Sequence, residues 1–208
     1  MRLLSIVVSV AIASSAATAQ ERLHLKRTAF GFHPNSCGDG IVQTFPPSKE
    51  ILRDTQWLSA AVGLNDVAIR EADIRRNACA VIDQNTGKRY ILFGRFIAAD
   101  GDPEEKWALD FVVLAHEVGH LACGHGGYSN NAQENWSKEL AADRFSGKLI
   151  RRMVDYGNVT KSYAEGFLLK FVVDVMARGE EYTGGRTHPP NSMRRQAVRE
   201  GFYDARGC

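Results

Sequence analysis

A short motif of two histidines and one glutamate constrains this chain more than any other feature. Residues His116–His120 have the pattern His-Glu-x-x-His. Residues four apart on an α-helix lie on one face, so both imidazoles can bind a single Zn²⁺ ion. Glu117 projects at a different angle and can meet a metal-bound water instead. The motif therefore predicts a helix that carries part of a catalytic zinc site.

The flanking residues predict a long helix around this motif. Asp102 can cap its first turn, Pro103 fits the first helical position, and Glu105 completes a capping box. Apolar residues then recur at helical spacing as far as Cys123, and Gly124 ends the pattern. The motif is thus predicted to occupy the last two turns of a buried central helix.

A catalytic zinc ion needs a third protein ligand and one open position. The next predicted helix, about residues 134–156, offers Glu139 as that ligand. Asp143 lies one turn further on the same face and could accept a hydrogen bond from the N–H of a zinc histidine. Small residues on this helix would let it approach the motif helix closely: Ala141, Ala142 and Gly147.

Three segments in the same order resemble the M48 peptidases, which are zinc metallopeptidases of the gluzincin type. They are His116–His120 with Gly124 and His125 behind it, residues 139–147, and residues 187–190 with Arg194. The resemblance covers roughly residues 77–198. It implies a small sheet above the active-site helix, with the edge strand Ala78–Ile82 binding the substrate in extended form by strand addition.

Two further residues are candidates for the same site. His188 could donate a hydrogen bond to a developing oxyanion or form a wall of the active site, or it could simply pack at the start of the last helix. Arg194 could pair with a site carboxylate or be an exposed helix charge. His125 follows the end of the motif helix, so a structural role or a contact to a zinc ligand is favoured over direct ligation.

The other segments predict an α+β fold: a mainly helical, zincin-like domain with a small β-sheet packed on the motif helix. A helix capped by Ser48 should end at Gly63, and strands Ala78–Ile82 and Arg89–Phe93 should form a hairpin. Helices are also predicted over residues 161–178, capped by Asn158 or Thr160, and from Pro189 to Gly201. Residues 20–45 are predicted to form a loosely structured arm before a domain at 46–208.

The first nineteen residues have the pattern of a signal peptide. A basic start precedes an apolar run at residues 3–12, and Ala17–Ala19 fits a cleavage site. The run is shorter than the ~20 residues that span a membrane, although an uncleaved anchor is the alternative. A secreted or periplasmic protein, with no integral membrane span in the mature chain, is therefore predicted. In that compartment Cys37, Cys79, Cys123 and Cys208 predict two disulfides, and three pairings are open.

Together these features predict a zinc metalloendopeptidase. One Zn²⁺ ion would be bound by His116, His120 and Glu139, with Glu117 as general base on a zinc-activated water. The partner would be a protein or peptide, since a formal net charge of +2 gives no electrostatic reason to expect nucleic acid. Alternatives are a non-catalytic zinc-bearing module for peptide binding or envelope assembly, which would not need Glu117, and a zinc hydrolase for a non-peptide bond. A cytoplasmic metallopeptidase is disfavoured by the signal peptide.

Overall fold

The computed structural model of the protein shows a mixed sheet packed against helices. The structure describes residues 21–25, 30–31, 40–74, 78–94, 102–125, 129–170, 188–204 and 207–208. The strands are β1 (Glu21–Leu25), β2 (Phe30–Gly31), β3 (Gly40–Phe45), β4 (Ala68–Ala72), β5 (Ala78–Ile82) and β6 (Arg89–Gly94). The helices are α1 (Lys49–Ala61), α2 (Pro103–Ala122), α3 (Ala132–Asp155), α4 (Lys161–Tyr163, continuing as a π-helical stretch Ala164–Leu168) and α5 (Asn191–Asp204). The predicted α+β fold is confirmed.

The sheet separates two clusters of buried residues. Its strand order is β1-β3-β4-β6-β5-β2, and all neighbouring pairs are antiparallel except the parallel pair β4–β6. Alternate residues of a strand point to opposite faces. Accordingly, Ile91 and Phe93 of β6 belong to the cluster that includes the helices, whereas Tyr90 and Leu92 belong to a smaller cluster on the other face. The predicted hairpin β5–β6 is confirmed, and both of its strands contribute buried residues to the two clusters.

The prediction of a loosely structured arm at residues 20–45 is wrong for the part of it that the structure describes. This segment supplies β1, β2 and β3, so the sheet extends well beyond the hairpin. Leu23 of β1 is paired with Val42 of β3 and is buried in the smaller cluster. Strand formation here depends on pairing with distant β4 and β5, which a local pattern does not reveal.

Three of the predicted helix caps agree with the structure, whereas the helix predicted from about residue 134 begins at Ala132 and the one predicted from Pro189 begins at Asn191. Ser48 accepts a hydrogen bond from Ile51 N, Asp102 from Glu104 N, and Thr160 from Tyr163 N. Thr160, and not Asn158, is therefore the cap of α4. The part of the predicted helix 161–178 that follows residue 170 lies outside the described residues.

Two glycines were assigned the wrong roles from the sequence. The helix predicted to end at Gly201 continues to Asp204, because this glycine serves close packing instead of helix termination. A Cβ atom there would lie 1.8 Å from the carbonyl oxygen of Arg144 in α3, and one on Gly147 would lie 1.9 Å from that of Val198 in α5. Gly147 thus allows α3 to approach α5, and not α2 as predicted.

A disulfide between Cys123 and Cys208 joins the end of α2 to the last residue of the sequence. Cys79 is also disulfide-bonded. Cys37 lies outside the described residues. Among the helices of the described segments, none is long and apolar enough to span a membrane.

Candidate metal centre

Three side chains converge where the C-terminal half of α2 faces α3. His116 and His120 lie one turn apart on α2, and Glu139 reaches them from α3; all three are buried. The two helices approach closely at Gly119, where a Cβ atom would lie only 3.0 Å from Ala142 Cα. The predicted close approach of α2 and α3 therefore depends on Gly119, inside the motif, together with Ala142.

The spacing of these side chains fits a tetrahedral zinc ion. The two Nε2 atoms of His116 and His120 are 3.0 Å apart, and the Glu139 carboxylate lies 3.2 Å from the first and 3.6 Å from the second. Zinc bonds of ~2.0–2.1 Å at tetrahedral angles place ligand atoms about 3.3 Å apart. No fourth protein ligand joins this group among the described residues. Three ligands and an open position are typical of a catalytic site.

Asp143 orients the first histidine. Its Oδ1 lies 2.9 Å from Nδ1 of His116. A carboxylate at this position accepts the Nδ1–H, so the lone pair of Nε2 is directed toward the ligand cluster. The structure thus places Asp143 where the sequence predicted it.

His125 makes the corresponding contact to the second histidine. Its Nδ1 lies 2.9 Å from Nδ1 of His120. Burial lowers the pKa of His125 to about 4, against an opposing effect of Glu139, so its ring is neutral at pH 7. A neutral His125 can accept the Nδ1–H of His120, which leaves His120 Nε2 free to bind a metal. His125 thus contacts a candidate metal ligand and is not itself part of the ligand cluster.

Arg194 and His188 complete the surroundings from the C-terminal segment. Arg194 makes a bidentate ion pair with Asp143, at 2.8 and 2.9 Å, and lies 4.0 Å from Glu139. His188 Nε2 lies 3.5 Å from Glu139 Oε2. Both side chains are buried. Of the two possibilities for Arg194, pairing with a site carboxylate is therefore the one that the structure shows.

Glu117 lies beside the ligand cluster but is not part of it. Its Oε2 accepts a hydrogen bond of 2.8 Å from the backbone N–H of Ala80 in β5, whereas its Oε1 has no hydrogen-bond partner. Burial raises the pKa of Glu117 to about 8, and the negative Glu139 acts in the same direction, although His116 opposes both. One carboxylate oxygen is thus held by β5, and the other is buried without a hydrogen-bond partner.

The charges at this centre favour a cation. Burial alone would lower the pKa of His116, but Asp143 and Glu139 raise it to about 10. Burial opposes ionisation of Glu139, yet the nearby imidazoles, His188 first, hold its pKa well below the usual range. The same negative charges attract a divalent metal ion, whose binding displaces the proton from the histidines.

Sequence reasoning missed two contributors, Ala80 and Gly119. Ala80 acts through its backbone N–H, so no side-chain pattern could identify it, although its strand was predicted. Gly119 occupies a variable position of the motif, and only the packing of α3 against α2 shows why a larger residue would not fit.

Residues 106–205 match the family model of Peptidase U49. The matched segment includes every predicted residue of the centre, from His116 to Arg194. No curated protein and no solved structure matches the chain. Over slightly less than half of its length the chain is therefore similar to a peptidase family, and that family is Peptidase U49, not the M48 family that its motifs resemble.

Proposed function

We propose that this chain is a zinc-dependent endopeptidase that hydrolyses peptide bonds with Glu117 as general base. One observation carries the proposal: the ligand atoms of His116, His120 and Glu139 converge beside Glu117, whose Oε1 is buried and has no hydrogen-bond partner. A carboxylate oxygen that is buried without a hydrogen bond destabilises the folded protein, so such an atom indicates a role in ligand binding or catalysis. The similarity to Peptidase U49 supports a peptide as the substrate.

Several residues of the chain could take part in hydrolysis, each in a different role. Bound zinc would supply Lewis-acid polarisation of the scissile carbonyl and would acidify a water molecule. Glu117 would accept the proton of the attacking water at Oε1 and pass it to the leaving amine, while Ala80 N–H keeps the carboxylate in place. A pKa raised toward neutrality suits a group that must accept a proton and then release it. His188 is our candidate for a donor to the developing oxyanion.

The edge of β5 is the proposed place for an extended substrate. β5 lies directly beside Glu117, as strand addition to Ala78–Ile82 requires. However, β2 already pairs with this edge, opposite Cys79 and Ala80. A substrate strand at these two residues would have to replace β2, whereas one bound nearer Ile82 would not.

Cleavage of an unfolded protein mixture by the purified mature chain tests the function. We expect zinc-dependent internal cleavage that a chelator abolishes and that zinc restores. The variant Glu117→Gln should lose at least about 100-fold in rate, as expected for a general base, and should still bind one zinc ion. Glu105→Gln, at an exposed position in the first turn of α2, is the matched control, since its charge change lies outside the centre.

Three outcomes would count against the proposal. Zinc binding without any cleavage by wild type would favour the non-catalytic zinc-bearing module. Cleavage of esters or other small substrates alone would favour a non-peptide hydrolase. Undiminished cleavage by the Glu117→Gln variant would exclude the proposed base.

We also propose that the chain is exported and that residues 1–19 are removed. The Cys123–Cys208 disulfide supports an oxidising compartment. Residues 1–20 lie outside the described residues. N-terminal sequencing of the protein from the extracytoplasmic fraction should give Gln20 as the first residue; an unprocessed Met1 in the cytoplasmic fraction would contradict export.

A further inference from the structure

A cavity of about 320 Å³ lies between the first turns of α1 and α2, apart from the metal centre. Its lining includes Asp54 of α1, Trp107 and Asp110 of α2, and Phe93 of β6, and none of the candidate metal ligands. The volume is that of about ten water molecules and falls at the lower end of small-molecule sites. Trp107 and Asp110 are three residues apart and so lie on one face of α2.

Asp110 is the feature of this cavity that needs an explanation. Its side chain lines the cavity, is only 8% exposed, and its Oδ1 has no hydrogen-bond partner. Burial raises the pKa of Asp110 to about 6; Lys106 opposes this effect, and Asp54 adds to it. The carboxylate is therefore still ionised at neutral pH. A buried carboxylate oxygen without a hydrogen-bond partner destabilises the folded protein, and such atoms are typical of sites that bind a ligand.

The remaining charges around the cavity also favour a positive ligand. Four acidic residues and two basic residues line it. Of the two basic residues, Arg53 already pairs with Asp54 at 3.0 Å and is mostly exposed. Lys106 is exposed as well, one turn before Asp110. The inner part of the cavity thus presents carboxylate and aromatic groups.

We propose that this cavity binds an organic cation, a guanidinium or primary ammonium group, that donates hydrogen bonds to Asp110 and lies against Trp107. Aromatic faces attract such cations, and the apolar stem of an alkyl guanidinium or amine fits beside them. A bare metal ion would leave most of the volume and the aromatic wall unused. The cation could belong to a free amine or to a basic side chain of a peptide, since both present the same group. The inference does not depend on the proposed peptidase activity.

Butylguanidinium and butylurea make a matched pair of probes, because they have nearly the same shape and differ in charge. Calorimetry with the zinc-loaded mature protein should show saturable binding of butylguanidinium and none of butylurea at equal concentration. Tryptophan fluorescence should report the same binding, and Trp107→Phe should remove that signal. N-acetylarginine amide tests the peptide source: tighter binding than butylguanidinium assigns the site to a peptide side chain, and weaker binding to a free amine.

The variant Asp110→Asn should weaken butylguanidinium binding about tenfold or more, since it removes a charge-assisted hydrogen bond. Asp155→Asn, which makes the same charge change at an exposed position of α3, should leave it unchanged. Asp110→Asn removes a costly buried charge, so a loss of binding would not reflect unfolding. Equal binding of butylurea, unchanged binding by Asp110→Asn, displacement by millimolar Ca²⁺ or Mg²⁺, or no saturable binding would each overturn the proposal.

Discussion

Replacing Asp110 with asparagine should stabilise the protein at neutral pH. The substitution keeps the size of the side chain and removes a negative charge from a residue that is only 8% exposed. Because the Oδ1 atom has no hydrogen-bond partner, no contact to that oxygen is lost. Stabilising substitutions of this kind are expected where a residue is kept for binding and not for stability.

The magnitude follows from the shifted pKa. Burial raises the pKa of Asp110 from 3.8 to about 6, and each pH unit corresponds to about 1.4 kcal/mol. The upper limit is therefore roughly 3 kcal/mol, and screening by solvent reduces the expected value to about 1–3 kcal/mol. The folded pKa lies above the unfolded one, so the protonated form is stabilised. Wild type accordingly loses this stability as the pH rises from about 4 through about 6.

Urea unfolding of wild type and Asp110→Asn, between pH 4 and pH 8, measures this effect. The variant should be more stable above pH 7, and the difference should shrink toward zero near pH 4. Contributions from the metal centre are common to both proteins and cancel in the difference. Glu50→Gln is the control, since Glu50 lines the same cavity but is exposed; its effect should stay within about 0.5 kcal/mol at every pH.

Two results would refute this reasoning. A variant that is less stable than wild type at pH 7.5 would mean that the Asp110 carboxylate is stabilised by a partner. A stability difference that does not change between pH 4 and pH 7 would mean that the carboxyl titrates equally in the folded and unfolded states.

Three further predictions concern the metal centre and the packing around it. Asp143→Asn should lower zinc affinity by about 10–100-fold in competition with a chelator, because it weakens the hydrogen bond that orients a ligand; unchanged affinity would contradict that role. Gly147→Ala should cost at least about 2 kcal/mol in urea unfolding, because its Cβ would meet a backbone oxygen at 1.9 Å, whereas Gly166→Ala, with no atom within 4 Å, should be neutral or slightly stabilising. Loss of the Cys123–Cys208 bridge in a double serine variant should cost about 2–4 kcal/mol, since it closes a segment of 85 residues; equal denaturation midpoints would argue against its formation.

The sequence predicted the centre better than it predicted the sheet. Helix periodicity and caps are local, so α2 could be placed from Asp102 and the motif, and α3 could be placed to within about two residues of its start at Ala132. A helical spacing of four residues also decides which side chains share a face, which is why Glu139 and Asp143 lie on the same side of α3. By contrast, β1 and β3 are held by pairs such as Leu23 with Val42, and nothing in either short segment specifies its partner.

Glycines mark the limit of such prediction most clearly. A glycine after a helical pattern predicts a helix end, and this holds at Gly124, where the backbone has a positive φ of 66°. At Gly201 the same residue type has a different cause, since the space that it leaves is taken by the backbone of α3. Only the contact between two distant helices distinguishes these cases.

The many ionisable groups buried at the metal centre require a balance of negative and positive charges. Glu117, Glu139 and Asp143 are three carboxylates with no solvent exposure, and the Arg194 guanidinium pairs with Asp143 and lies 4.0 Å from Glu139. Isolated buried charges are very costly, so two further positive charges are needed to balance this set when the histidines are neutral. A divalent cation would supply them at the point where the ligand atoms converge. The alternative is uptake of protons, to which the raised pKa values of His116 and Glu117 correspond.

Metal binding should therefore release protons, and the apparent zinc affinity should rise with pH between 6 and 8. Calorimetric titration of zinc in buffers of different ionisation enthalpy measures the number released, and a value of zero would contradict this balance of charges.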